Sequence, residues 1–154
     1  MEIKKTKADK VLESICILCL AGVLIYLIVN WSNIPEKVPM HYDALGNIDR
    51  WGSRGELLVL PIVSWLMYGF LSVVEKFPVM WNTGVTVTEE NKGRVYRTIK
   101  YMIKTLKLIL VLDFTYLSMN SILGKTLSVW FLPVFLFLVF GDLVFWIIKM
   151  YKAQ

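Results

Sequence analysis

Val11-Leu-Glu-Ser-Ile-Cys-Ile-Leu-Cys-Leu-Ala-Gly-Val-Leu-Ile-Tyr-Leu-Ile-Val29 carries one charge, Glu13, in nineteen residues. A run this long and apolar can cross a bilayer as a helix, a backbone form that satisfies its own polar groups in lipid. Lys4, Lys5, Lys7 and Lys10 precede it, as a basic flank precedes a signal peptide. The run exceeds a typical signal-peptide core, however, and no small-x-small cleavage site lies before Asn30. It is expected to be a retained first membrane helix, with Glu13 reaching the headgroups or pairing with Lys10. Cys16 and Cys19 are the chain's two cysteines and fall inside it. There the C-x-x-C spacing fits two small packing residues on one face, with reversible palmitoylation as the alternative.

Composition places the rest of the chain in the same class. Of 154 residues, 56% are hydrophobic and only 19% charged, and the mean hydropathy is +0.58. The charges cluster between apolar runs, so a soluble domain with charged outward helix faces is excluded. The net charge of +5 comes from lysines and arginines beside apolar spans, with no nucleic-acid motif among them. They read as topology signals and contacts for anionic lipid, not as a nucleic-acid surface.

Working outward, the periodicity predicts helices at approximately 11–30, 57–74, 101–123 and 127–148. The chain is therefore expected to be an all-α integral membrane protein, one four-helix domain spanning 1–154. Pro61 falls in the first turns of the second helix, where few backbone bonds are lost. In the connection before the third helix, Thr88 reads as a helix cap with Glu89 and Glu90 in the first turn. Beyond it, Val95, Ile99, Met102, Ile103 and Leu106 recur opposite Arg94, Arg97, Lys100, Lys104 and Lys107. That pattern predicts an amphipathic cytoplasmic segment lying on the membrane before it turns or continues inward. The N-terminal segment, the 76–100 connection and the C-terminal tail hold eleven Lys and Arg, against four in the other two loops. The asymmetry predicts a multi-pass plasma-membrane protein with both termini cytoplasmic.

Between the first two helices, Pro39-Met-His-Tyr-Asp-Ala-Leu-Gly-Asn-Ile-Asp-Arg-Trp-Gly-Ser53 holds the only histidine. Val38–Tyr42 and Ile48–Trp51 are expected to pair as a small hairpin around Gly46-Asn47. His41, Asp43 and Asp49 form a candidate ligand set for a divalent metal such as zinc or manganese, with water completing it. The alternative is a structural loop in which Asp43 caps the turn, Asp49 pairs with Arg50 or Arg54 and His41 packs on tryptophan. No hydrolase or metalloprotease motif is present, and an enzyme is not expected. No cofactor is expected beyond that candidate metal.

Inside the membrane, Asp113, Tyr116 and Asn120 fall at i, i+3 and i+7, one polar stripe on the third helix. At 1.5 Å per residue, Lys107 and Asp142 both lie roughly 9 Å from the cytoplasmic helix ends. They are expected to pair as interhelical glue. Asp113 would then keep hydroxyl or amide partners such as Tyr116 and Asn120 and be the functional acid, because a carboxylate without a cation tends to be partly neutral and able to exchange a proton. The alternative is that this stripe too is interhelical glue.

The pattern V-P-M-H-Y-D-x-x-G-x-x-D-x-W-G-S at Val38–Ser53 resembles the signature of a bacterial membrane family. That family is a domain of unknown function best known from the N-terminal part of SdpI-type immunity proteins. Val85-Thr-Val-Thr-Glu-Glu-Asn91, with Tyr96 and Arg97, is similar to a second pattern, T-x-E-N-x-x-x-x-Y-R, of its small members. The resemblance implies that Pro39, His41, Tyr42, Asp43, Gly46, Asp49, Trp51 and Gly52 form the functional outer loop. It implies binding of a toxin peptide or envelope ligand, with membrane lipid the other partner. SdpI-type immunity proteins carry further helices, so immunity is here an analogy. A small transporter or proton-linked accessory subunit using Asp113 is the alternative, and a metal-dependent membrane enzyme the third.

Overall fold

A computed structural model describes residues 6–154; Lys4 and Lys5 of the basic cluster lie outside them. The first helix, α1 (Lys7–Asn30), is opened by Thr6, whose hydroxyl accepts from Asp9 N while its own N–H donates to Asp9 Oδ2. That reciprocal pair satisfies two otherwise orphaned donors. At the far end the Asn30 amide donates to Tyr26 O, and a 3-10 turn, Trp31–Asn33, leads to Pro35.

The expected hairpin follows: β1 (Lys37–Tyr42) pairs antiparallel with β2 (Ile48–Ser53). A 3-10 turn at Arg54–Leu58 then feeds α2 (Val59–Lys76), with Pro61 in its first turn. After a loop come α3 (Lys92–Ile122) and α4 (Phe131–Lys152). The bundle is thus mostly helical, but with a two-stranded sheet at one end.

Three stretches, Lys7–Asn33, Arg54–Lys76 and Phe131–Lys152, are long and apolar enough to cross a membrane. Their outward residues are apolar too, among them Leu18, Ile28, Leu66, Phe70, Phe137 and Phe140. Such a surface suits lipid and would be a liability in water. The third helix is not among them, because it carries Lys100, Lys104, Lys107 and Asp113 within its length.

This helix is nonetheless the hub, packing against α1, α2, α4 and β1. Three apolar clusters lie along it. Ile122 joins Val23, Leu27, Ile34, Val38 and Leu57 at the hairpin end. Val111 meets Cys16 and Leu20 in the middle. Val95, Ile99 and Ile103 pack on Met150 and Ala153 at the opposite end. The start of α1 and the end of α4 therefore flank the same end of α3.

Two boundaries differ from expectation. The basic segment before residue 101 is not a separate surface helix; it forms the first turns of α3, which begins at Lys92. Thr88 does not open it either. Thr88 N donates to Asn91 Oδ1 at 2.8 Å and Asn91 N to Thr88 Oγ1 at 3.3 Å, closing a turn that holds Glu89 and Glu90 outside the helix. The fourth helix starts at Phe131 instead of Leu127; the residues before it form a loop in which Leu127 N donates to Gly46 O of the hairpin at 2.9 Å.

Candidate functional site

The hairpin is built around Asp43. Its Oδ1 accepts from Leu45 N at 2.9 Å and Asn47 N at 2.8 Å, and its Oδ2 from the Asn47 amide at 2.9 Å. Asn47, through its side-chain amide and then its backbone, holds the Asp43 carboxyl below its ordinary range. The chain reverses at Gly46, whose φ of +86° favours glycine and whose Cβ position lies 2.5 Å from Leu127 O. Gly52 is needed for a different reason: a Cβ there would stand 2.5 Å from both Glu56 Oε1 and Met40 Cγ.

The hairpin is fastened to the helices. Val38 and Pro39 are buried, and the Tyr42 hydroxyl donates to Lys125 O at 3.1 Å while lying 3.3 Å from Ser121 Oγ. Burial raises the pKa of that phenol, which stays a donor at neutral pH. Arg54 donates to Trp31 O and Ile34 O and lies 5.0 Å above the Trp31 ring. A cleft of about 550 Å³ opens beside it, between Trp31 and Trp51, with Glu36, Lys37 and Ser53 on its walls. Trp51 is 54% exposed.

The predicted metal set is divided. His41 Nδ1 meets Asp49 Oδ1 at 2.6 Å on the exposed face, whereas Asp43 is consumed by the turn. Among the described residues no group of three His, Cys, Asp or Glu is arranged to hold a metal ion. Asp49 pairs with His41 and not with an arginine; Arg50 goes to Glu56 at 2.9 Å. Irregular register between Pro39 and Tyr42 brings His41 opposite Arg50 and next to Asp49.

The other end of the bundle holds a second polar site. Lys100, Lys104 and Lys107, at i, i+4 and i+7 of α3, are buried against Asp9 and Glu13 of α1 and Glu75 of α2. Lys100 lies 3.0 Å from Asp9, Lys104 2.7 Å from Glu75, and Lys107 3.1 Å from Glu13 and 3.2 Å from Glu75. Ser72 accepts from Lys107 at 3.0 Å, and Tyr68 donates to Glu13. Three cations thus meet three carboxylates, and Lys104 and Lys107 with all three acids line a cleft of about 790 Å³ between α1 and α2. The lysines expected on a membrane-surface face are inside, and Glu13 pairs with α3 instead of Lys10. The signal was present: Asp9 and Glu13 share an i, i+4 face, as the three lysines do.

Known proteins resemble the chain first through its hairpin-bearing part. Residues 17–64 match the family model of a domain of unknown function, DUF1648. The DUF1648 match runs from α1 through the hairpin into the first turns of α2. It leaves out Asp9, Glu13 and the whole of α3. An uncharacterized protein of Archaeoglobus fulgidus is 29% identical over 138 residues, covering 80% of this chain and 74% of the relative. No solved structure matches.

The polar residues of α3 and α4 beyond the DUF1648 match are arranged differently from expectation. Lys107 does not pair with Asp142. Depth was matched but azimuth was not: at 100° per residue, Lys107 faces the α1–α2 side, while Thr105 faces α4. Trp146 accordingly donates from Nε1 to Thr105 Oγ1 at 2.8 Å and to Asp142 Oδ1 at 3.0 Å. Tyr116 and Asn120 do not serve Asp113 either. The Asn120 amide donates to Tyr116 O at 2.8 Å, and Tyr116 stacks on Phe131 at 5.2 Å. Asp113 Oδ1 is buried with no hydrogen-bond partner among the described residues.

Proposed function

We propose that this is a four-span plasma-membrane protein, termini cytoplasmic, that binds an extracytoplasmic peptide through the hairpin, as an SdpI-like immunity module would. Four spans are favoured by the burial of the α3 lysines. With those three neutralised by acids of α1 and α2, Asp113 is the only charge from Leu108 to Ile122. Lys100–Ile122 is about 34 Å long at 1.5 Å per residue, enough for a hydrocarbon core of about 30 Å. The positive-inside asymmetry then sets the hairpin outside.

The observation that carries the peptide reading is the free edge of β2. The sheet has two strands, and β1 is the strand that packs on α3. Ile48–Ser53 is largely exposed, so a second extended chain can add to it through main-chain hydrogen bonds. Trp51 and the Trp31–Arg54 cleft beside that edge supply aromatic and cationic contacts of the kind that anchor interfaces.

The test is deletion of the gene and challenge with a panel of membrane-active peptides. Deletion is expected to sensitise cells to at least one peptide. Wild-type protein should restore resistance, and Trp51→Ala, present at equal membrane level, should not. Resistance unchanged by deletion across the panel, or full protection by Trp51→Ala, would contradict the proposal.

A further inference from the structure

Between α3 and α4 lies an open groove of about 360 Å³. Its walls are aliphatic and aromatic, including Ile109, Leu112, Val134 and Leu138, and its one charged group is Asp113. Tyr116, Phe131 and Phe135 form a continuous stack along one side, with centroid distances of 5.2 and 6.4 Å. Ser128 and Trp130 also line it, on the hairpin side.

A carboxylate in such a place ordinarily finds a cation or several donors. Asp113 finds neither at Oδ1. Lys100, Lys104 and Lys107 of its own helix are committed on the far side to Asp9, Glu13 and Glu75. Asp142 Oδ2 is likewise buried without a partner among the described residues, but its Oδ1 accepts from the Trp146 indole and Asp142 does not line the groove. The unfilled acceptor and the aromatic faces beside it have one common complement, a positive charge on an apolar body. A carboxylate pairs with the charge, aromatic faces attract it, and the apolar walls take the remainder. An acyl tail would fill the walls and leave Oδ1 orphaned, and an anion would be repelled.

We propose that the α3–α4 groove is a binding site for a lipophilic organic cation, with Asp113 as its counter-ion and Tyr116, Phe131 and Phe135 as its aromatic wall. This is independent of the peptide proposal, because no hairpin residue lines the groove.

The probe is radiolabelled tetraphenylphosphonium, measured at equilibrium with the full chain in lipid nanodiscs, with the near-isosteric anion tetraphenylborate measured in separate samples. Saturable binding of the cation at one site per chain is expected, and no saturable binding of the anion. Asp113→Asn should weaken it at least about ten-fold, the size of one lost charge contact, and Asp142→Asn should leave it unchanged. Phe131→Leu should weaken it a few-fold and tests the site should Asp113→Asn fail to fold. Non-saturable uptake, equal binding of the anion, or undiminished binding by Asp113→Asn and Phe131→Leu would overturn the proposal. So would a dimer that Asp113→Asn dissociates and the cation does not, since the groove would then belong to a second copy of the chain.

Discussion

Asp43 determines the hairpin by accepting three hydrogen bonds within five residues, and its charge is part of that function. A carboxyl held below its ordinary pKa in the folded chain contributes stability above the unfolded value, about 3.9. That contribution is lost as pH falls through the depressed one. The hairpin is therefore expected to be fully ordered at neutral pH and to loosen only below about pH 4. Amide exchange of Leu45 and Asn47, followed against pH, checks this; protection that is already falling at pH 6 would contradict it. Much at this scale is legible in the sequence. Asp43, Gly46 and Asn47 announce a capped turn, because short polar side chains and a glycine have few other uses between two extended runs. The His41–Asp49 contact is not legible, since a strand irregularity decides which side chains become neighbours.

At the scale of elements, α3 shows how far spacing can be read and where it stops. Its lysines at 100, 104 and 107 mark one face, and the same face is basic whether it meets water, headgroups or acids on other helices. Only the positions of α1 and α2 choose among these. The failed Lys107–Asp142 pairing has the same origin, since depth follows from residue count but azimuth must be matched as well. The network that forms instead is balanced, with its lysines and Asp9 buried, and such networks are damaged most by removing one member. Glu75 contacts both Lys104 and Lys107 with its side chain 13% exposed. Glu75→Gln is expected to destabilise the folded protein by about 3–5 kcal/mol. Replacing Glu75 and Lys107 together by leucine should cost less than the sum of the single changes. Thermal unfolding in a defined detergent measures both; a loss below about 0.5 kcal/mol for Glu75→Gln, the level of a surface pair, would show that the network is solvated.

For the whole molecule, the apolar runs made three helices of membrane-spanning length legible, and the proposed fourth crossing depends on charges that the fold turns inward. The bundle gathers the start of α1, the end of α2, the start of α3 and the end of α4 at one end. The hairpin and the α3–α4 loop are gathered at the other. Whether those ends lie on opposite sides of a bilayer is the claim on which the peptide proposal depends. Single cysteines introduced as Ala44→Cys, Lys125→Cys and Gln154→Cys, in a background lacking Cys16 and Cys19, test it with a membrane-impermeant thiol reagent. In intact cells Ala44→Cys and Lys125→Cys are expected to react, and Gln154→Cys only after the membrane is opened. Labelling of Gln154→Cys in intact cells, or silence of Ala44→Cys until the membrane is opened, would contradict the account.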